Sequence, residues 1–117
     1  MEKKIRKAGR VLKGGKEVRI TSAKGTDLSL SIEGRKWILE DTGICRKKGT
    51  YTNLPAGEIF IAPVEGTAQG TLVVDGAFVG KVESPITVDI VDGFAVDFHG
   101  KGSERLKKIL KEASEKL

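Results

Sequence analysis

Apolar residues recur at helical spacing at both ends of the chain. Residues 2 to 12 place Ile5, Ala8 and Leu12 on one face among lysines and arginines, and a Gly-Gly pair then predicts the end of that helix. Near the other end, Ser103 is a candidate N-cap. The helix it would begin carries an apolar stripe of Leu106, Ile109, Leu110, Ala113 and Leu117. The pattern predicts one amphipathic helix at each end.

Between these helices the chain alternates between apolar and polar residues, which is the period of a strand. The stretches EVRITSA and TDLSLSIE predict a hairpin that RKWILED continues more loosely. Further short strands are predicted at EIFIA, GTLVV, AFVGKV, ITVDIV and FAVDFHG. Asp75-Gly76 and Asp92-Gly93 predict two-residue hairpin turns, because a type I′ turn requires positive φ at both central positions. Residues 43 to 53 have few apolar side chains and predict a long loop.

These elements predict an α+β fold, with a largely antiparallel β-sheet or half-open barrel of roughly six to eight strands and a helix at each end. We expect the two helices to cover one face of the sheet. The chain has 117 residues without an internal repeat or a low-complexity linker. Residues 1–117 are therefore predicted to form a single domain.

Charge and composition narrow the possible partners. Charged residues make up 32% of the chain, and no apolar run approaches the ~20 residues of a membrane span. The net charge of +5 raises the possibility of nucleic-acid binding. Aromatic residues are only 5%, however, and are not interleaved with the basic residues as a base-stacking surface requires. A solvated basic surface is the favoured interpretation, and neither a membrane nor a nucleic-acid partner is expected.

The single cysteine, Cys45, cannot form an intrachain disulfide and fits a reducing compartment. A small, semi-buried side chain is favoured there over a reactive thiol. The N-terminal stretch MEKKIRKAGRVLKGG lacks the apolar centre of a signal peptide, so a cytoplasmic location is expected. Asn, Gln, Met and Cys are scarce, a balance typical of thermophilic proteins.

Few residues in the chain suit a catalytic constellation. His99 is the only histidine, and it follows Asp97 by two positions in a predicted strand, so the two side chains can share a face. A catalytic triad would also need a serine fixed beside the ring, and a surface histidine is the favoured interpretation. Catalytic zinc usually takes three protein ligands, and we recognise no such spacing among one histidine, one cysteine and scattered acids.

Glu58 stands at the first position of the predicted strand EIFIA, directly after a turn that contains Asn53, Pro55 and Gly57. A carboxylate held rigidly at a strand end suits a metal ligand. The same pattern describes a strand-edge acid hydrogen-bonded to the turn, and the residues alone favour that second interpretation.

The stretch NLPAGEIFIAPVEGTAQGTLVVDG resembles a segment of the thermophilic metallo-aminopeptidases, that is, the aminopeptidase T family and its leucyl-aminopeptidase-like relatives. GTDLSLSIEGR and SPITVDIVDG are similar to neighbouring segments of that family. The resemblance implies the first half of a metal-binding domain. It makes Glu58 the first metal ligand of a two-metal site, positioned by the turn of Asn53, Pro55 and Gly57, on which water attacks the N-terminal bond of a peptide substrate.

The resemblance also implies a divalent metal cofactor, zinc, cobalt or manganese, once the full site is assembled. The family's other ligands have no match here, so this chain alone is expected to be an inactive fragment that holds no metal. The expected partners are a peptide substrate and either the missing C-terminal half of the metal domain or a second copy of the chain. Two alternatives stay open. One is a non-catalytic β-rich interaction module, and the other is a basic nucleic-acid-binding domain led by Lys47 and Lys48.

Overall fold

A computed structural model of the protein describes residues 1–78 and 80–115. The helices and strands follow the chain in the order α1 (Glu2–Leu12), β1 (Glu17–Thr21), β2 (Asp27–Ser31), β3 (Gln69–Val74), β4 (Ala77–Phe78), β5 (Gly80–Lys81), β6 (Ile86–Val91), β7 (Phe94–His99) and α2 (Ser103–Ser114). One helix stands at each end, as the sequence predicts. Within the described residues, neither helix is long and apolar enough to cross a bilayer.

Five of the strands form one open antiparallel sheet, in the order β1-β2-β3-β6-β7. This confirms the predicted α+β fold with a largely antiparallel sheet, and β1 and β7 are its edges. The strands β4 and β5 pair only with each other. The sheet joins β3 directly to β6, so the short β4–β5 hairpin is an excursion between two neighbouring strands.

The apolar face of the sheet is covered by α2. Ile86, Val88 and Leu106 form its buried centre, and partly buried side chains of neighbouring strands pack around them, among them Leu72 and Phe98. Val88 lies opposite both Leu72 and Phe98 in the strand register, so the three side chains share this face. The alternate positions therefore point away from α2 and form a polar face.

The hairpin of β6 and β7 turns at Asp92 and Gly93, which both have positive φ, 50° and 80°. This confirms the hairpin that the Asp-Gly pair predicts. The Asp75-Gly76 pair does not form the predicted hairpin, because β3 and β4 on either side of it do not pair with each other. Instead the amide of Val82 donates a hydrogen bond to the carbonyl of Gly76 over 3.0 Å. The predicted strand AFVGKV is correspondingly divided into β4 and β5, and its Val79 lies outside the described residues.

The predicted strand EIFIA does not form. Residues 57 to 59 have no regular structure, and Phe60 makes only an isolated bridge with Ile38. A strand needs a partner along its length, and this stretch pairs with the chain around Ile38 at one position only. Glu58 is therefore not the first residue of a strand, and the prediction that it begins one was wrong.

The two helices have different neighbours, and their covering of one face stays a prediction. Whereas α2 packs on β7 and the sheet, α1 lies against the irregular segment that follows β2, where Leu39 fills the space beside Gly9. The radius of gyration is 17.4 Å, whereas a compact domain of this length has one of about 13 Å. Residues 32–68, between β2 and β3, form neither a helix nor a named strand. The single-domain assignment stays a prediction.

At the start of α2, Gly102 occupies the N-cap position with a φ of 88°, and no side chain caps the helix. Ser103 is the first helical residue and is buried, so its predicted capping role was wrong. Of the predicted apolar stripe, Leu106 is buried and Ile109 is half-buried, while Leu110 and Ala113 are exposed. Leu117 lies outside the described residues.

Candidate functional site

The turn before Glu58 is held by a residue that sequence reasoning missed. One carboxylate oxygen of Asp41, Oδ2, accepts hydrogen bonds from the backbone amides of Gly57 and Glu58, both over 3.1 Å. A carboxylate that accepts two backbone hydrogen bonds fixes the local path of the chain. Glu58 itself is exposed, so its backbone is positioned while its carboxylate faces solvent.

Both the backbone conformation at position 57 and the atoms around it require a glycine there. Its φ is 131°, and a Cβ atom there would lie 2.8 Å from the sulfur of Met1. The first residue of the chain therefore packs over the turn. Asn53 and Pro55 are exposed, and the hydrogen bonds of the described residues include none from the side chain of Asn53. The positioning role predicted for them stays a prediction, whereas the contribution of Asp41 is visible.

The start of α1 is tied to the loop that precedes this turn. The carboxylate of Glu2 accepts hydrogen bonds from Arg6 and from Arg46, each with a nitrogen–oxygen distance of 3.0 Å. The hydrogen bond from Arg6, followed by the charge of Arg46, lowers the pKa of the Glu2 carboxyl below its ordinary value. The amide of Gly43 also donates to the hydroxyl of Thr52 over 3.2 Å. These contacts give the loop a defined path despite its lack of strands.

Cys45 lies in the same loop, and its side chain is an exposed free thiol. The favoured prediction of a semi-buried side chain was therefore wrong, because the loop runs over the surface.

A second group of ligand-type side chains lies on the polar face of the sheet. Asp97 and His99 are on one face of β7, and Asp89 lies directly opposite Asp97 on β6. The Nε2 atom of His99 is 3.0 Å from Oδ2 of Asp89 and 3.6 Å from Oδ2 of Asp97. The sequence indicated that Asp97 and His99 share a face, but it gave no sign of Asp89.

These three residues are the only group in the described part of the chain that brings three such donor atoms together, all within 4.8 Å of one another. Glu58 does not belong to the group. The structure thus separates the sequence-predicted acid on the loop from the cluster on the sheet.

Nearly the whole chain matches a known family. The family model described as "NicX: 2,5-dihydroxypyridine 5,6-dioxygenase" matches residues 1–116. The chain belongs to this family. A similar relative is the 2,5-dihydroxypyridine 5,6-dioxygenase of Pseudomonas putida, which is 28% identical over 107 residues. The match covers 85% of this chain and 29% of the relative, so the chain spans less than a third of that protein's length. No solved structure matches the chain significantly.

Membership of the NicX family overturns the aminopeptidase assignment. That assignment depended on a short motif centred on Asn53 to Glu58, whereas the NicX match extends over nearly the whole chain. The motif forms a turn that Asp41 and Gly57 shape. Such a turn is a requirement of the backbone and does not by itself specify a reaction. The predicted peptidase activity and the peptide substrate were therefore wrong. The two alternatives, an interaction module and a nucleic-acid-binding domain, are likewise replaced by a dioxygenase family.

The expectation of a metal survives in its general form. A dioxygenase family is consistent with a divalent metal cofactor, although the choice among zinc, cobalt and manganese depended on the aminopeptidase resemblance.

Proposed function

We propose that these residues contribute to a dioxygenase that inserts both atoms of O₂ into a dihydroxypyridine or a similar hydroxylated nitrogen ring. The observation that carries the proposal is the NicX family match over residues 1–116. The relative from Pseudomonas putida carries the same activity in its name and supports the substrate class. Because the chain spans 29% of that relative, the proposal concerns a contribution to such an enzyme and not a complete catalytic unit.

The ligand chemistry favours iron(II) over zinc as the metal of this proposal. Oxygen activation needs a metal that exchanges electrons, and zinc has no redox chemistry. Non-haem iron(II) oxygenases typically hold the metal with two histidines and one carboxylate. The chain contains one histidine. Its residues therefore do not supply that complete set, and at least one histidine ligand would come from outside these 117 residues.

Glu58 is the carboxylate that we propose as this chain's contribution to the metal. Two features support it. The hydrogen bonds from the amides of Gly57 and Glu58 to Asp41 hold the backbone at this position, and the Glu58 side chain is exposed and can reach a ligand set completed by other residues. The turn of Asn53, Pro55 and Gly57 would serve to present it. A cytoplasmic location also belongs to the proposal, supported by the single cysteine.

The test is an oxygen-uptake assay on the product of the whole reading frame that contains this sequence. The protein is loaded anaerobically with iron(II), mixed with 2,5-dihydroxypyridine and aerated. We expect one O₂ to be consumed for each ring that disappears, and no uptake when the metal is removed by a chelator. Oxygen uptake that does not depend on the ring, or no uptake by the folded and iron-loaded protein, would contradict the proposed activity.

The role of Glu58 is tested in the same assay. Glu58→Gln keeps the size of the side chain and removes its charge, and we expect loss of one equivalent of bound iron, measured by elemental analysis, together with loss of oxygen uptake. Glu112→Gln is the control, because it makes the same change on the exposed surface of α2. Equal iron content in the two variants would refute the ligand role and leave the dioxygenase proposal standing.

A further inference from the structure

The cluster of Asp89, Asp97 and His99 has the geometry of a metal site. Two ligands that lie about 2.1 Å from a metal ion, at tetrahedral or octahedral angles, are about 3.0 to 3.4 Å apart. The distances from His99 Nε2 to the two Oδ2 atoms are 3.0 and 3.6 Å. Two of the three donor-atom separations are therefore close to those that a shared ion would impose, and the two carboxylate oxygens lie within 4.8 Å of each other.

The outer carboxylate oxygens are held by neighbouring groups. Oδ1 of Asp97 accepts a hydrogen bond from the amide of Phe98 over 2.8 Å, and Oδ1 of Asp89 lies 3.4 Å from the hydroxyl of Thr71 on β3. Metal-binding carboxylates are commonly oriented in this way by a second layer of hydrogen bonds. Each aspartate consequently turns its other oxygen, Oδ2, toward the His99 ring.

No lysine or arginine in the described part of the chain forms an ion pair with the aspartates of the cluster. Asp89 and Asp97 are directly opposite each other on neighbouring strands, and like charges in that arrangement are destabilising. The chain has 21 lysines and arginines, yet within the described residues the only ion-pair partner of either aspartate is His99. A bound cation would offset the repulsion between the two carboxylates.

The strand register determines which residues of the cluster face one another. Asp97 and His99 are separated by one residue of β7, and Asp89 is fixed opposite Asp97 by the pairing of β6 with β7. A bulge between Asp89 and Ile90 adjoins the cluster, and bulges are common where a sheet re-aims a side chain. The side chains are 41% to 60% exposed, so a hydrated ion has access to them.

We propose that Asp89, Asp97 and His99 bind one divalent transition-metal ion on the polar face of the sheet. One imidazole nitrogen and two carboxylate oxygens suit ions of intermediate softness, such as zinc, iron(II) and manganese(II). Three protein ligands leave at least one coordination position for water. The inference depends only on this cluster, so it stands or falls independently of the dioxygenase proposal and of Glu58.

The experiment measures binding of Zn²⁺ to the purified, chelator-treated 117-residue chain by isothermal titration calorimetry. All proteins carry Cys45→Ser, because the exposed thiol is itself a zinc ligand. We expect one ion per chain, and affinity at least about tenfold weaker in His99→Gln and in Asp97→Asn. Asp92→Asn is the matched control, because it removes the same charge from the turn of the same hairpin and asparagine tolerates positive φ.

A second measurement tests whether the metal ion binds at His99. His99 is the only histidine, so its ring gives a single set of imidazole signals in NMR spectra. Zn²⁺ should shift those signals in a 1:1 titration, and Mn²⁺ should broaden them. The inference is overturned if no 1:1 binding occurs, if Asp92→Asn weakens binding as much as Asp97→Asn, or if zinc leaves the imidazole signals unchanged. In those cases His99 is only a hydrogen-bonding partner of the two aspartates.

Discussion

Gly70 in β3 is the position where the structure makes the sharpest prediction about stability. Its φ is 123°, and a Cβ atom added there would lie 2.1 Å from the carbonyl oxygen of Asp27 on β2. Non-bonded heavy atoms prefer about 3.5 Å, so one of the two strands must move by about 1.4 Å. The obstructing atom belongs to the backbone of a paired strand, so the clash cannot be relieved by turning a side chain.

The magnitude for Gly70→Ala follows from three contributions. Overpacking costs about 1 to 3 kcal/mol, and the unfavourable φ costs about 1 to 3 kcal/mol more. The smaller conformational freedom of alanine in the unfolded chain offsets about 0.4 to 1 kcal/mol. We expect a loss of about 3 kcal/mol of unfolding free energy. Gly34→Ala is the matched control, because Gly34 has a φ of 75° and no atom near a Cβ. The Gly34→Ala variant should lose only about 1 kcal/mol of unfolding free energy.

The assay is thermal and urea unfolding of both variants, followed by far-UV circular dichroism. A difference of about 2 kcal/mol corresponds to a gap in Tm of roughly 10 °C for a domain of this size. Gly76→Ala provides a further reference, since Gly76 has neither positive φ nor a nearby atom and should be neutral or slightly stabilising. The reasoning is refuted if Gly70→Ala unfolds at the same temperature as Gly34→Ala.

Three further predictions concern the core, an ion pair and the loop. Leu106 is buried at the centre of the helix–sheet contact, so Leu106→Ala should lose about 2 to 5 kcal/mol of unfolding free energy. Urea unfolding measures this loss, and a loss below about 1 kcal/mol would contradict the prediction. The hydrogen bonds and charge of Arg19 lower the pKa of Asp27, so this carboxylate adds stability at neutral pH that is lost as the pH falls through its folded pKa. In an NMR titration Arg19→Gln should raise the Asp27 midpoint, and an unchanged midpoint would disprove the pairing. Asp41→Ala should speed hydrogen exchange at the amide of Glu58, whereas Asp41→Asn, which keeps an acceptor oxygen, should change it less.

The local elements of this protein were predictable because each depends on neighbours in the sequence. The spacing of Ile5, Ala8 and Leu12 predicts α1, and the structure places that helix at Glu2–Leu12. Asp92-Gly93 predicts a turn with two positive φ values, and the hairpin of β6 and β7 has them. In both cases the interacting atoms are within a few residues of each other.

The loop around Glu58 shows where local reasoning failed. Ile59, Phe60 and Ile61 are an apolar run that predicts a buried strand, yet Phe60 is 43% exposed and forms a single bridge. Whether an apolar run becomes a strand depends on the free edge it meets, and no pattern within the run records that. Asp41 holds the turn from 16 residues away, and no spacing rule connects an aspartate with amides at that distance.

A local motif also led to the wrong family. The stretch from Asn53 to Glu58 led to an aminopeptidase assignment, whereas the match over residues 1–116 gives the NicX family. A motif of six residues constrains one turn, and one turn can serve unrelated reactions. A match over nearly the whole chain constrains the strands and helices as well.

The sequence by itself determined the two helices, the strand alternation and the β6–β7 turn, because these depend on side-chain period and on φ at single residues. It also placed Asp97 and His99 on one face. Only the tertiary structure decided that Asp89 joins them, since that requires the register of β6 against β7. A slip of one residue would turn Asp89 to the apolar face beneath α2. The register arises from packing across the whole sheet, so the cluster is a property of the folded chain and not of any segment.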